Sequence, residues 1–449
     1  MQGRGGFMKC IMKIMLGGML LLLAAAAAVP WLIPASAWIG RIETEAGARL
    51  GAPVRIAAIS VALLPLPHAT ISGLRVADGA IAVQRMVAYP RLGSLLSDTP
   101  ALRSIEFEQI SVTPRGVELA QAAAARPRSG AALNVEHLRA SQVQIELETG
   151  KLPAFDAEAD LNINEGSAAM PVTSARIRTR DGKATLSLLP TGGAWSLALE
   201  ATDWQWPLGP PLRLERLQVT GRIAGAKLEL ATITAALYGG TAAGKAELAW
   251  HKGWRLSGDL SVTGIELGAL AQSLKIKSAL TGKLDASGPF RAQAAKPAAL
   301  AESLNAEITF DVRNGALQGF DLLSAAQSLL KGGAGGGSTQ FDQLTGGVKV
   351  QGRALKLHNV RVSSGVLKAL GNVEISPSRQ LAGRIDTEVK GSGGLAGVPL
   401  ALSGTLDAPV LLPTKGSLAG AVVGSVLLPG IGTSIGSTVG DKLGKLFGK

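Results

Sequence analysis

Apolar and polar residues alternate with a period of two through most of the chain from about residue 50 to residue 415. Val143-Gln144-Ile145-Glu146-Leu147, Leu228-Glu229-Leu230, Leu355-Lys356-Leu357 and Arg384-Ile385-Asp386-Thr387-Glu388-Val389 are examples. Such a pattern sends one set of side chains to each face of a pleated sheet. Gly, Pro, Asp and Asn separate the short runs, so the expectation is a mainly β chain of antiparallel strands joined by turns. Within and after this β region, helical periodicity is clearest over residues 266–274, residues 320–330 and the C-terminal tail. Residues 332–337 are a glycine-rich connection after the second of these.

The strand pattern also repeats. Shifting residues 217–248 by 127 positions lays Leu217 on Leu344, Gly225 on Gly352, Leu228 on Leu355 and Leu230 on Leu357. Ile233 then meets Val360, Gly244 meets Gly371, Glu247 meets Glu374 and Leu248 meets Ile375. In both copies the alternation slips by one residue, between Leu230 and Ile233 and between Leu357 and Val360. A bulge or turn at the same point of each copy would produce the slip. Growth by added strand pairs predicts an elongated architecture.

The N-terminus carries a different pattern. Arg4, Lys9 and Lys13 precede an uncharged run over residues 14–39, which includes four leucines (residues 20–23) and five alanines (residues 24–28). About 20 apolar residues suffice to cross a bilayer as a helix. Cations ahead of the run favour a cytoplasmic N-terminus, which predicts a single-pass anchor with the bulk of the chain exported. Ala35-Ser36-Ala37 has the small-x-small form of a signal-peptide cleavage site, but the run exceeds a typical signal core. Export holds under either reading. Cys10 is the only cysteine and precedes the run, so no disulfide is expected in the exported part and stability there must come from pairing and burial.

Composition narrows the function classes. Aromatics make up 4% of the chain against 57 glycines, so apolar layers are built from small aliphatic side chains. The 45 Lys and Arg exceed the 33 Asp and Glu, giving a net charge of +12. The cations are scattered singly along the strands, without aromatic platforms on which bases could stack, which argues against nucleic-acid binding. Attraction to anionic head groups is the remaining use of the charge, alongside simple solvation.

Motifs with a catalytic look lack their companions. Gly432-Thr433-Ser434-Ile435-Gly436 has the form of a nucleophile elbow, but no histidine follows His358. The stretch from Gly239 to Lys245 approximates a phosphate-binding loop, with Ala246 where a magnesium-reaching hydroxyl is needed. His68, His137, His251 and His358 stand apart, without a second His or Cys at metal-ligand spacing. Asp156, Glu158 and Asp160 read as an outward-facing row of one strand. The expectation is no enzyme, no cofactor, and no catalytic or metal site.

Glycines space the tail by four: Gly416, Gly420 and Gly424, then Gly432, Gly436, Gly440, Gly444 and Gly448, with Pro429-Gly430 between the sets. As helices, each set presents a nearly continuous glycine face that allows close backbone packing. A hairpin entering or capping a membrane and a hairpin closing the end of the sheet both fit.

A resemblance to the AsmA family rests on the order of several pieces. Residues 51–56 (GAPVRI), Leu63-Leu64-Pro65 and residues 69–76 (ATISGLRV) resemble the start of that family's exported region. Leu92-Gly93-Ser94-Leu95-Leu96 and residues 102–107 (LRSIEF) continue it. The fuller match lies over roughly residues 210–415: residues 237–240 (LYGG), 262–267 (VTGIEL), 310–317 (FDVRNGAL), 341–346 (FDQLTG), 360–365 (VRVSSG), 369–375 (ALGNVEI) and 402–407 (LSGTLD). Residues 115–210 match more weakly.

The resemblance implies an inner-membrane-anchored periplasmic protein whose elongated, curved antiparallel sheet forms an open, taco-like groove. Its apolar side would shelter phospholipid acyl chains moving between inner and outer membranes. The implied layout is a cytoplasmic N-terminus (1–13), an anchor (14–39), an N-terminal β region (40–210), an AsmA-like β region (211–415) and the glycine tail (416–449). Leu228, Leu230, Leu355 and Leu357 are the candidate lipid contacts. An assembly or interaction factor for outer-membrane proteins, without lipid cargo, is the alternative.

Overall fold

The computed structural model describes residues 35–94, 101–124, 134–148, 150–162, 172–275, 280–319, 321–322, 337–391, 394–406 and 408–414. The chain divides into two compact units, Met1–Thr191 and Gly192–Lys449. Each described part is an open sheet with few helices.

In the first unit, helix α1 (Ala35–Leu50) continues from the apolar run. Its Ile39, Ile42 and Ala46 pack on Val54, Ile56, Val76, Ala77 and Ala80. Gly51 ends the helix in the left-handed region (φ 67°), with its N–H donated to the Gly47 carbonyl at 2.8 Å. The strands are β1 (Val54–Arg55), β2 (Ala58–Ala62), β3 (His68–Val76), β4 (Ile81–Pro90) and β5 (Ala101–Val112). After helix α2 (Pro114–Ala124) come β6 (Asn134–Leu147), β7 (Gly150–Lys151), β8 (Phe155–Leu161), β9 (Val172–Thr179) and β10 (Ala184–Thr191). Short β1 and β2 both pair with β3, and the order runs on through β4, β5, β6, β8, β9 and β10.

Two expectations need correcting here: the described sheets are open and uncurled rather than curved into a groove, and the first is not wholly antiparallel. The sheet is mixed, because β5 and β6 run parallel, with Ser104 opposite His137 and Val112 opposite Ile145. A parallel neighbour requires a crossover of a dozen or more residues, and residues 113–133, including α2, provide it. Strand alternation specifies faces but not the direction of a neighbour.

The second unit is an antiparallel meander. Its strands are β11 (Ala194–Gln205), β12 (Arg213–Ala224), β13 (Lys227–Leu237), β14 (Gly240–Ala249), β15 (Trp254–Glu266) and β16 (Lys283–Ala294). They continue as β17 (Asn305–Gln318), β18 (Ser338–Gln351), β19 (Ala354–Ser363), β20 (Leu367–Ile375), β21 (Leu381–Gly391), β22 (Gly394–Gly404) and β23 (Pro409–Pro413). Each pairs with the next in sequence. Helix α3 (Leu267–Ser273) falls within the first predicted helical segment. The second, residues 320–330, lies almost wholly outside the described residues, and the glycine tail entirely so.

Both predicted slips of the repeat are register shifts. On β13 the pairing jumps between Leu230 and Ile233, and on β19 between Leu357 and Val360. Gly225 and Gly352 hold matching hairpin turns at φ 57° and 59°. The near phosphate-binding loop is also a hairpin turn, with Tyr238 and Gly239 both at positive φ between Leu237 and Gly240.

Candidate functional site

Residues directly opposite in a ladder share a sheet face, so the register of the second unit identifies what each face carries. One unbroken row crosses ten strands, β12 to β21. It reads Gly221, Leu230, Ala246, Gly258, Phe290, Ala306, Val350, Leu355, Ile375 and Leu381. No member bears a polar side chain, and at about 4.8 Å per strand the row extends roughly 43 Å along the sheet.

The flanking rows agree. Ile223, Leu228, Leu248, Leu256 and Ala292 form one. Ile308, Val348, Leu357, Val373, Gly383, Leu402 and Leu411 form another. The four predicted lipid contacts therefore share one face of one sheet, Leu230 and Leu355 in the same row. All four are half-buried.

The opposite face is mainly polar, although Leu370, Val410 and Leu412 stand exposed on it towards the C-terminal strands. Arg222, Glu229, Glu247, Ser257, Arg291, Asn305 and Gln351 make the row beside the apolar one. Neighbouring strands there are tied by ion pairs: Lys227–Glu247 at 2.9 Å, Lys245–Asp259 at 3.6 Å, Lys349–Glu307 at 3.4 Å and Lys356–Glu374 at 3.3 Å. The hydrogen bond to Glu247 raises the Lys227 ammonium above its usual range, its exposure notwithstanding.

Burial along the apolar face is uneven. Val312, Phe341, Leu344, Val362, Leu367, Ala369, Leu381, Leu400, Leu402 and Leu411 form a closed cluster with Leu322. The stretch around the predicted contacts stays more open, and Leu260 on β15 is 43% exposed. The sheet thus seals part of its apolar face with its own side chains and leaves the rest accessible.

The predicted acidic row of β8 also points outward. Asp156 lies across from Arg178, Glu158 from Arg176 and Asp160 from Ser174. Asp160 accepts a hydrogen bond from Ser174 Oγ at 2.7 Å and meets His137 Nδ1 at 2.9 Å. The Ser174 bond, then the His137 contact, hold its carboxyl below the usual range. Pairing of His137 with Asp160 was not legible from their spacing of 23 residues. Among the described residues no group of three or more His, Cys, Asp or Glu is placed to hold a metal.

The fold and its faces define an open β scaffold with one apolar side. The chain belongs to the AsmA family, whose model matches residues 121–355, more than half of its length. The match takes in residues 121–210, where the individual motifs resemble the family least. Comparison with curated proteins and with solved structures finds no match. Family membership points to the cell envelope and to no known class of enzyme. Among the described residues no helix is long and apolar enough to cross a membrane; most of the predicted anchor, residues 14–34, lies outside them.

Proposed function

We propose that this protein is a non-enzymatic lipid-handling scaffold of the bacterial envelope. Residues 14–39 anchor it in the inner membrane, and the bulk of the chain lies in the periplasm. The apolar face of the second unit's open sheet shelters phospholipid acyl chains for transport between the membranes or for envelope homeostasis. The uncharged row across ten strands carries this reading. Each acyl CH2 removed from water along that row contributes about 0.8 kcal/mol. Ala246 and Ala306 are the small residues that keep the surface low between the larger side chains, whereas Phe290 covers Gly258 and Leu230 reaches over Gly221. Movement along such a face needs no reacting residue.

The test is mass spectrometry of lipids that co-purify with the full chain. Phospholipid is expected with the natural sequence and reduced roughly tenfold or more in Leu230→Asp/Leu355→Asp, since two lost CH2 contacts already exceed the 1.4 kcal/mol of one decade. Lys356→Glu, on the opposite face, should retain it. Absence of lipid from the natural sequence would sink the proposal. Lipid loss in the double variant with envelope function intact would favour the assembly-factor alternative.

A further inference from the structure

One end of the first unit's sheet holds a group of exposed apolar side chains that the proposed lipid-binding face does not use. Val61 is 49% exposed, Leu64 64%, Leu66 53% and Leu92 57%. Residues 63–67 join β2 to β3, and Leu92–Ser94 follow the end of β4. Because β4 lies beside β3, with Ala69 opposite Ala88, both connections emerge from the same end of the sheet. Leu66 and Leu92 line one open cavity of about 770 Å³; its rim by the leucines carries Arg91 and Arg103, and the lining also includes Arg139 and the carboxylates of Glu106, Glu136, Glu158 and Asp160.

These leucines are held in place. His68 Nδ1 lies 2.8 Å from the Leu66 carbonyl, and the His68 ring packs 5.6 Å from that of Tyr89. The Arg91 N–H donates to the Ala101 carbonyl at 2.9 Å, and Ser94 Oγ donates to the Arg91 carbonyl at 2.8 Å. Charge accompanies them. Arg91 is exposed beside its partner Glu136 at 3.0 Å, and Arg103 has no ion-pair partner among the described residues. Exposed leucines beside arginines match the two layers of a bilayer surface, acyl boundary and anionic head groups.

The tether reaches the same strand pair. The apolar run ends inside α1, and α1 packs through Ile39 and Ile42 in a cluster that includes Ile59 of β2 and Ile71 of β3. The β2–β3 connection is therefore presented by the strands on which the anchor's continuation is docked. We propose that residues 61–67 and Leu92 form a membrane-contact surface. Leu64, Leu66 and Leu92 enter the acyl boundary, and Arg91 and Arg103 meet anionic head groups. This rests on the reading of residues 14–39 as a membrane span.

The experiment uses the full chain carrying Cys10→Ser and a single added cysteine, Leu64→Cys or Leu92→Cys, labelled with an environment-sensitive fluorophore. It is reconstituted in vesicles of phosphatidylethanolamine and phosphatidylglycerol, with spin-labelled lipid as quencher. The chain is expected to float with the vesicles, with both probes blue-shifted and quenched by the lipid. A probe at Arg75→Cys, seven residues along β3 and exposed, should stay unquenched. Adding Leu64→Asp/Leu66→Asp should abolish quenching at position 92 while flotation persists. A floating chain whose Leu64 probe is quenched no more than the position-75 control overturns the contact and leaves the anchor standing. Blue shift without lipid quenching overturns it too, because a segment of the protein itself would be the cover. A chain that does not float refutes anchor and contact together.

Discussion

Phenylalanine set over glycine is the recurring side-chain arrangement of the apolar face. Phe290 pairs with Gly258, Phe310 with Gly346 and Phe341 with Gly315. A flat ring covers bare backbone where a branched side chain on both strands would collide. A Cβ at Gly346 would stand 2.9 Å from Phe310 Cζ, so Gly346→Ala is expected to lose about 1–3 kcal/mol through overpacking, measured by urea unfolding. Leu400, 0% exposed, contrasts with Leu260. Leu400→Ala should lose about 2–5 kcal/mol, and Leu260→Ala clearly less in the same measurement. On the polar face of the first unit, the carboxyl of Asp160 sits below its usual range, so its contribution to stability is full above the unfolded-state value and fades as pH falls through the folded one. Ser174→Ala should raise that carboxyl's titration midpoint, read by NMR, and shrink the acid dependence of the melting temperature. Alternation alone put Leu228 with Leu230, and Leu355 with Leu357, on one side of each strand. The Phe–Gly pairs and the His137–Asp160 contact were not legible this way, since they depend on register between strands far apart in sequence.

Single residues also set the behaviour of whole strands. A one-residue slip reverses which face every following side chain occupies, so the bulges on β13 and β19 keep Ile233 and Val360 on the apolar side with Leu230 and Leu357. At the second bulge Asn359 adopts φ 51°, a conformation that Asn and Gly accept and β-branched residues resist. Asn359→Gly should therefore be nearly neutral, whereas Asn359→Val should cost about 1–3 kcal/mol, again by urea unfolding. The slip was visible in the sequence because both copies show it. The parallel β5–β6 pair was not, because β5 has the same alternation whichever way its neighbour runs. Helix α1 was visible only to residue 39, where the apolar run stops. Beyond it the helix is made by Ile42 and Ala46 on one side and the Glu45–Arg49 ion pair at 2.8 Å on the other.

Along the chain, the cations behind the net charge of +12 are scattered singly rather than clustered. Many cations are cross-strand partners of acids, which fits a sheet that keeps one side wet along its length. Membership of the AsmA family extends through residues 121–210, where local motifs are faint, as expected if strand pattern rather than any fixed residue is what such a scaffold needs. Lys356 lies between Leu355 and Leu357 on β19, so neighbouring positions separate the two faces by a single step of backbone. A photo-crosslinking amino acid placed in turn at Leu355, Lys356 and Leu357 of the full chain in living cells tests the acyl-binding face directly. Phospholipid adducts at positions 355 and 357 with none at 356 are the predicted result; equal labelling at all three positions, or at none, would contradict it.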